Sequence, residues 1–200
     1  MRLVFLMGFL GLVVTPSASS PPEAYFSGRD HIDQKLISLI DQSRGQMEMA
    51  LYEFSSRPLA QALERAGDRG IQMRLVLDPH IAEEKKTVGH LETIHGLTLR
   101  YSGSRQGEKG HMHHKFLIVD GQTLVTGSYN WTAGAEYVNY EDILIENDQR
   151  VIHGYEQEFE KLWSAGDTVP LHALSHRFTF GHGTPKKHTK RHSHRRYKKP

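Results

Sequence analysis

The stretch from His113 to Asn130 leaves few ways to fold. It reads His-His-Lys-Phe-Leu-Ile-Val-Asp-Gly-Gln-Thr-Leu-Val-Thr-Gly-Ser-Tyr-Asn. Apolar runs flank Asp120-Gly121, a dipeptide suited to a tight turn. The spacing predicts two strands, near Met112–Val119 and Thr123–Thr126, joined by that turn. Side chains two apart on a strand share a face. His113 and Lys115 should therefore point the same way, and Ser128 and Asn130 repeat the arrangement after the turn. Asp120 has the wrong parity to join His113 and Lys115. It is expected to grip the turn or a neighbouring backbone.

The rest of the chain alternates helical and extended signals. Asp30 to Ser43 carries Ile32, Leu36, Ile37 and Ile40 at helical spacing, closed by Gly45. Gln46 to Ser55 is apolar on both faces, with Met47, Met49 and Leu51 on one side and Ala50, Tyr52 and Phe54 on the other. That is the pattern of a central strand covered on two sides. A helix from Pro58 to about Ala66, a buried strand Ile71–Leu77, a polar helix over 82–94 and a strand Leu97–Tyr101 follow. Beyond the hairpin come a short helix Thr132–Tyr137 and a strand Asp142–Ile145. A long amphipathic helix Gln149–Ala165 ends the pattern, with Val151, Tyr155, Phe159 and Leu162 on one stripe. Such alternation argues an α/β fold. Ser102 to Gly110, with three glycines, is expected to be a flexible loop bordering the hairpin.

Two hundred residues suit one domain with its own core. No cysteine occurs, so disulfides, thiol chemistry and lipoprotein acylation are excluded. Arg2, the apolar run Leu3–Val14, Pro16 and the small residues Ser17 to Ser20 read as a secretory signal over 1–20. The alternative is an uncleaved anchor. A catalytic domain is expected over 21–166. Residues 167–200 are expected to form a disordered tail rich in His, Lys and Arg. From His172 onward there are nine Lys/Arg and no Asp or Glu, leaving 16 basic against 23 acidic residues elsewhere. An acidic body with a basic tail suggests a tail that finds polyanions, with Lys186, Lys187, Lys190, Arg191, Arg195 and Arg196 as its phosphate contacts. Aromatic residues are sparse there, so base stacking is not indicated.

Phosphoryl transfer needs a nucleophile, positive charge at the non-bridging oxygens and a proton for the leaving oxygen. His113 can be nucleophile or acid. Lys115, Ser128 and Asn130 can bind the phosphate oxygens. Glu141, near the next strand, can accept the other ring N–H of His113 and fix its tautomer. A bare H-x-K-x4-D is a weak signal, but with G-S-x-N at this spacing coincidence becomes a poor account.

His113-x-Lys115-x4-Asp120-x6-Gly127-Ser128-x-Asn130 resembles the HKD signature of the phospholipase D superfamily, and Asn139-Tyr140-Glu141 resembles its downstream Asn-x-Glu. The resemblance extends over about Ala24 to Ser164 and points to the single-motif branch of small exported bacterial endonucleases and to the mitochondrial cardiolipin-hydrolase/nuclease branch. It implies a mixed sheet flanked by helices on both faces, and a covalent phosphohistidine hydrolysed by water, with no metal and no cofactor. It also implies two histidines, one attacking and one protonating the leaving group. With one motif per chain, a two-fold homodimer with a composite site is expected. Glu53 departs from the resemblance, standing where many members carry a small polar residue.

Other readings remain open at this level. His111, His113 and His114 could ligate a metal, although adjacent residues on a strand face opposite ways and no fitting carboxylate cluster accompanies them. His80, His90, His95 and His153 read as isolated surface or capping residues. The same chemistry serves an endonuclease and a phospholipase or cardiolipin hydrolase acting on anionic phospholipid. The basic tail, and a body without an obvious apolar insertion loop, favour nucleic acid, DNA over RNA. A secreted DNA- or metal-binding module without catalysis is a third class, disfavoured by the intact motif. The expected location is periplasmic or secreted.

Overall fold

The computed structural model describes residues 20–83, 89–103 and 110–166. Its centre is a seven-stranded mixed sheet: β1 Glu23–Phe26, β2 Gln46–Leu51, β3 Gln72–Leu77, β4 Leu97–Tyr101, β5 Lys115–Val119, β6 Thr123–Gly127 and β7 Asp142–Glu146, in the order β1-β7-β6-β5-β2-β3-β4. β2, β3 and β4 run parallel. β5 is antiparallel to β2, and each later neighbour is antiparallel to the last. The helices that lie wholly within the described residues are α1 Ile32–Gln42, α2 Arg57–Asp68, α3 Ala133–Tyr137 and α4 Gln149–Ala165.

Two cores lie on opposite faces of the sheet. On one, Ile32, Leu36 and Ile40 of α1 and Leu59, Leu63 and Ala66 of α2 pack on Met47, Met49, Met73 and Leu75. On the other, Ile152 and Phe159 of α4 cover Ala50, Val76, Phe116, Ile118 and Leu124. Burial of these side chains from water, about 25 cal/mol per Å² of apolar surface, is what holds the layers together. The expected α/β sheet with helices on both faces is what the chain adopts.

Several boundaries differ from the sequence reading. β2 stops at Leu51, not Ser55: Trp131 N–H then donates to the Glu53 carbonyl, and Phe54 turns into the first core against the Trp131 ring at 5.3 Å. β5 begins at Lys115 rather than Met112. α1 ends through Ser43, whose N–H and Oγ both donate to the Ile40 carbonyl. Gly45 instead permits a close approach, since a Cβ there would lie 3.2 Å from Asp120 Oδ1. The stripe of α4 runs through Ile152, whereas Val151 faces outward. The helix expected over 82–94 shows a 3-10 turn Pro79–Glu83 at its start, and residues 84–88 lie outside the described residues. β1, a mostly exposed tetrapeptide, was not anticipated; its pairing with β7 makes it a strand. The signal segment, most of the 102–110 loop and the whole tail, including Lys186, Lys187, Lys190, Arg191, Arg195 and Arg196, lie outside the described residues.

Glu48 interrupts the apolar face of β2 and is only 6% exposed. Burial raises its carboxyl pKa, against the pull of the Arg74 guanidinium bonded to it. Arg74 also pairs with Glu160 at 2.5 Å and lies over the Phe159 ring, so the charge that enters the sheet is matched under α4.

Candidate active site

The motif hairpin forms as its sequence requires. Asp120 and Gly121 both take positive φ, 54° and 62°, and Gln122 N–H donates to the Val119 carbonyl across the turn. The Asp120 carboxylate accepts N–H groups from Arg44 at 3.0 Å, Gly45 at 2.7 Å and Gln46 at 3.1 Å. The aspartate thus pins the entry of β2 to the exit of β5, at the end of the sheet opposite His113. This is the structural role its parity implied.

His113 and Lys115 meet at the other end. Lys115 opens β5 opposite Leu51. Its ammonium lies 3.1 Å from His113 Nδ1, donates to the His113 carbonyl at 2.8 Å and sits 4.9 Å from the Tyr52 ring centroid. The imidazole packs on Tyr52 with ring centroids 4.3 Å apart. His113 is exposed, and its Nε2 has no hydrogen-bond partner among the described residues. Partial burial lowers the His113 pKa, with the Lys115 and His111 charges adding to the effect and Asp78 and Glu53 opposing it. Burial also lowers the Lys115 pKa, opposed by Glu141 and Glu53.

After β6, Tyr129 is buried and donates its hydroxyl to Glu136 at 3.0 Å. With Tyr129 turned inward, its neighbours Ser128 and Asn130 turn the other way, as expected. Asn130 Oδ1 is buried without a hydrogen-bond partner among the described residues. That oxygen can only accept, so a phosphate oxygen could be met only by the Nδ2 group of the same amide. Ser128 Oγ donates to Glu141 Oε2 at 2.5 Å and accepts Asp142 N–H at 3.1 Å. Glu141 also accepts Asn139 Nδ2 at 3.0 Å. The expected Glu141–His113 hydrogen bond is not among those of the single chain: this carboxylate is held by Ser128 and Asn139 and acts on Lys115 through its charge.

Three residues were missed. Tyr52 follows β2, and Asp78 and His80 follow β3, at the carboxyl ends of parallel strands where α/β proteins commonly build sites. That rule was the available signal. His80 is not an isolated surface histidine. Its Nδ1 lies 2.7 Å from Asp78 Oδ1, and its ring packs against that of Tyr52 with centroids 4.4 Å apart and planes tilted by 31°. His111 Nδ1 reaches the same Asp78 oxygen at 3.4 Å, so a carboxylate does accompany the motif histidines. His114 turns away, against Phe116 and Glu158.

The arrangement offers an open imidazole nitrogen on His113 with the Lys115 ammonium beside that ring, a pair suited to attack on a phosphate ester. The description "cardiolipin synthase, PLD-like domain" belongs to the family model that matches residues 36–163. The mitochondrial cardiolipin hydrolase of Xenopus tropicalis is 35% identical over 139 residues, covering 69% of this chain and 64% of that protein, so the chain spans less than two thirds of that relative. NucT from Helicobacter pylori superposes with a TM-score of 0.68 at 25% identity, over 73% of this chain and 97% of that one. Nuc from Salmonella typhimurium, a phospholipase D family member, shares the fold with a TM-score of 0.65 at 24% identity, over 74% and 97% of the two chains. A family match across more than half the chain, spanning the His113–Lys115 pair that the fold brings together, means that the chain belongs to the phospholipase D superfamily.

Proposed function

We propose that the protein is an exported, metal-independent endonuclease of low sequence specificity, working as a homodimer. The observation that carries this reading is the exposed His113, with its Nε2 free of partners among the described residues and the Lys115 ammonium beside its ring. Nε2 attacks phosphorus, forming a P–N bond as the bond to the leaving oxygen breaks. The second histidine, His113 of the other copy, gives the leaving oxygen its proton and then takes one from the water that hydrolyses the phosphohistidine. Lys115 and Asn130 meet the charge on the non-bridging oxygens. Ser128 supports this set by fixing Glu141.

The basic tail supports a nucleic-acid substrate, DNA in preference to RNA. No helix among the described residues is long and apolar enough to cross a membrane. Hydrolysis of an anionic phospholipid is the second reading. It is favoured by the identity to a cardiolipin hydrolase and by Tyr137, Val138 and Tyr140, 77%, 80% and 103% exposed beside Glu141. The sequence had suggested no such apolar loop.

The deciding experiment offers DNA, RNA and cardiolipin vesicles to the purified protein, with and without excess chelator. DNA cleavage is expected to persist in chelator, and His113→Ala to lower it at least about a thousandfold while sparing DNA binding. Faster turnover of cardiolipin than of DNA would select the lipid reading. Cleavage retained by His113→Ala would refute the phosphohistidine route.

A further inference from the structure

Asp78, His80 and His111 bring a carboxylate and two imidazoles together outside the phosphate-binding set, and their potential ligand atoms all lie within 4.8 Å of one another. Asp78 is buried, 2% exposed, and firmly held: its Oδ2 accepts Met112 N–H, and its Oδ1 accepts His80 N–H at 3.0 Å. The same Oδ1 faces His80 Nδ1 at 2.7 Å and His111 Nδ1 at 3.4 Å. Three nitrogens thus converge on one oxygen that has two lone pairs. Hydrogen bonding alone leaves that oxygen over-subscribed, and one imidazole is better used as a lone-pair donor.

We propose that Asp78, His80 and His111 form a binding site for a divalent transition-metal ion of the zinc class. Such an ion takes imidazole nitrogen and carboxylate oxygen at about 2.0–2.2 Å, which sets tetrahedral ligand atoms roughly 3.4 Å apart. The His111–Asp78 spacing already fits, and the His80–Asp78 spacing needs to open by less than about 1 Å. Two nitrogens and one oxygen suit zinc, cobalt or nickel better than calcium or magnesium. The Met112 amide fixes the carboxylate from behind, in the manner of the outer contacts that orient metal ligands. Glu53 stands 4.0 Å from His80 Nε2, on the far side of that ring. Three protein ligands leave a fourth position for water. The ion ties the residues that lead into β5 to the carboxyl end of β3. It shares the Tyr52 ring with His113 as a common wall, through centroid distances of 4.4, 5.4 and 4.3 Å from Tyr52 to His80, His111 and His113.

The test counts metal on the full chain. The tail adds six further histidines (His172, His176, His182, His188, His192 and His194), so the measurement is a difference between variants. Wild type, His80→Ala, His111→Ala and a control, His90→Ala, are titrated with Zn2+ in competition with a chromogenic chelator. The same four are titrated with Co2+, read by the visible absorption of the four-coordinate ion. His111 is half exposed, and equal thermal midpoints in chelator show that the variants fold. Wild type and His90→Ala are expected to bind one tight equivalent more than His80→Ala and His111→Ala, and only the first two should show the matching cobalt band. Equal stoichiometry in all four proteins would overturn the site. The readout is metal content, not cleavage, so its failure leaves the proposed nuclease reading where it stood.

Discussion

Asp120 shows how little of a motif has to be chemistry. Three charge-assisted N–H bonds end on its carboxylate, and no phosphate could reach it from the site at the opposite end of β5. Asp120→Ala is expected to lower unfolding free energy by about 2–4 kcal/mol in denaturant titration, because three amides lose a charged acceptor. The folded fraction should still cleave substrate. His113→Ala should do the reverse, leaving the midpoint near that of wild type and removing turnover. A stable but inactive Asp120→Ala protein would contradict this division. His113, Lys115 and Asp120 were legible in the sequence because strand parity is local and survives folding. Tyr52, Asp78 and His80 were not. They meet the motif only because β2 lies between β3 and β5, which no local spacing encodes.

Gly127 ties the chemistry of the motif to the geometry of two strands. A Cβ there would run into the Asp142 carbonyl of β7, which Ser128 N–H also uses at 3.1 Å. Gly127→Ala should push β6 from β7 and displace both Ser128 and Glu141. Stability is expected to fall by roughly 2–4 kcal/mol and turnover by more than about tenfold, as measured by denaturant unfolding and by cleavage of a short substrate. An active, stable Gly127→Ala protein would mean that the strands tolerate separation. At the start of α4, Asp148 accepts the Arg150 N–H and pairs with the Arg150 guanidinium, which hold its pKa down at about 2 from 3.8. A depressed carboxyl contributes stability that is present above pH 3.8 and lost as pH falls through about 2. Asp148→Asn should therefore melt lower than wild type at pH 7, and the gap should close by about pH 2. A gap that stays constant over that range would exclude the carboxylate as its source. Most strands and helices could be read from period-2 and period-3.6 patterns. β1 could not, because Glu23–Phe26 is largely exposed and becomes a strand only through a distant partner.

At the scale of the whole molecule, the composite-site proposal makes activity depend on pairs of chains. If each site needs a His113 from both copies, adding an equal amount of His113→Ala protein and allowing exchange should cut wild-type activity to about half by random pairing. Undiminished activity would point to a site complete within one chain. Removing residues 167–200 should weaken DNA binding and flatten its salt dependence, since each phosphate no longer neutralised takes about 0.9 from the log–log slope. Turnover of a short substrate should be unaffected; an unchanged slope would deny the tail this role. β1 has a consequence for the order of assembly. Ser27, just past β1, receives the Glu141 N–H on its Oγ at 2.8 Å, donates that Oγ to the Asn139 carbonyl at 2.7 Å, and donates its own N–H to the Glu141 carbonyl. The first of these bonds spans 114 residues, so this edge closes only after β7 exists, and pairings of such long range form slowly. The backbone that carries Glu141 is therefore clamped only when the first strand meets the seventh. A chain still emerging from the ribosome, with β7 not yet made, carries the motif without this clamp.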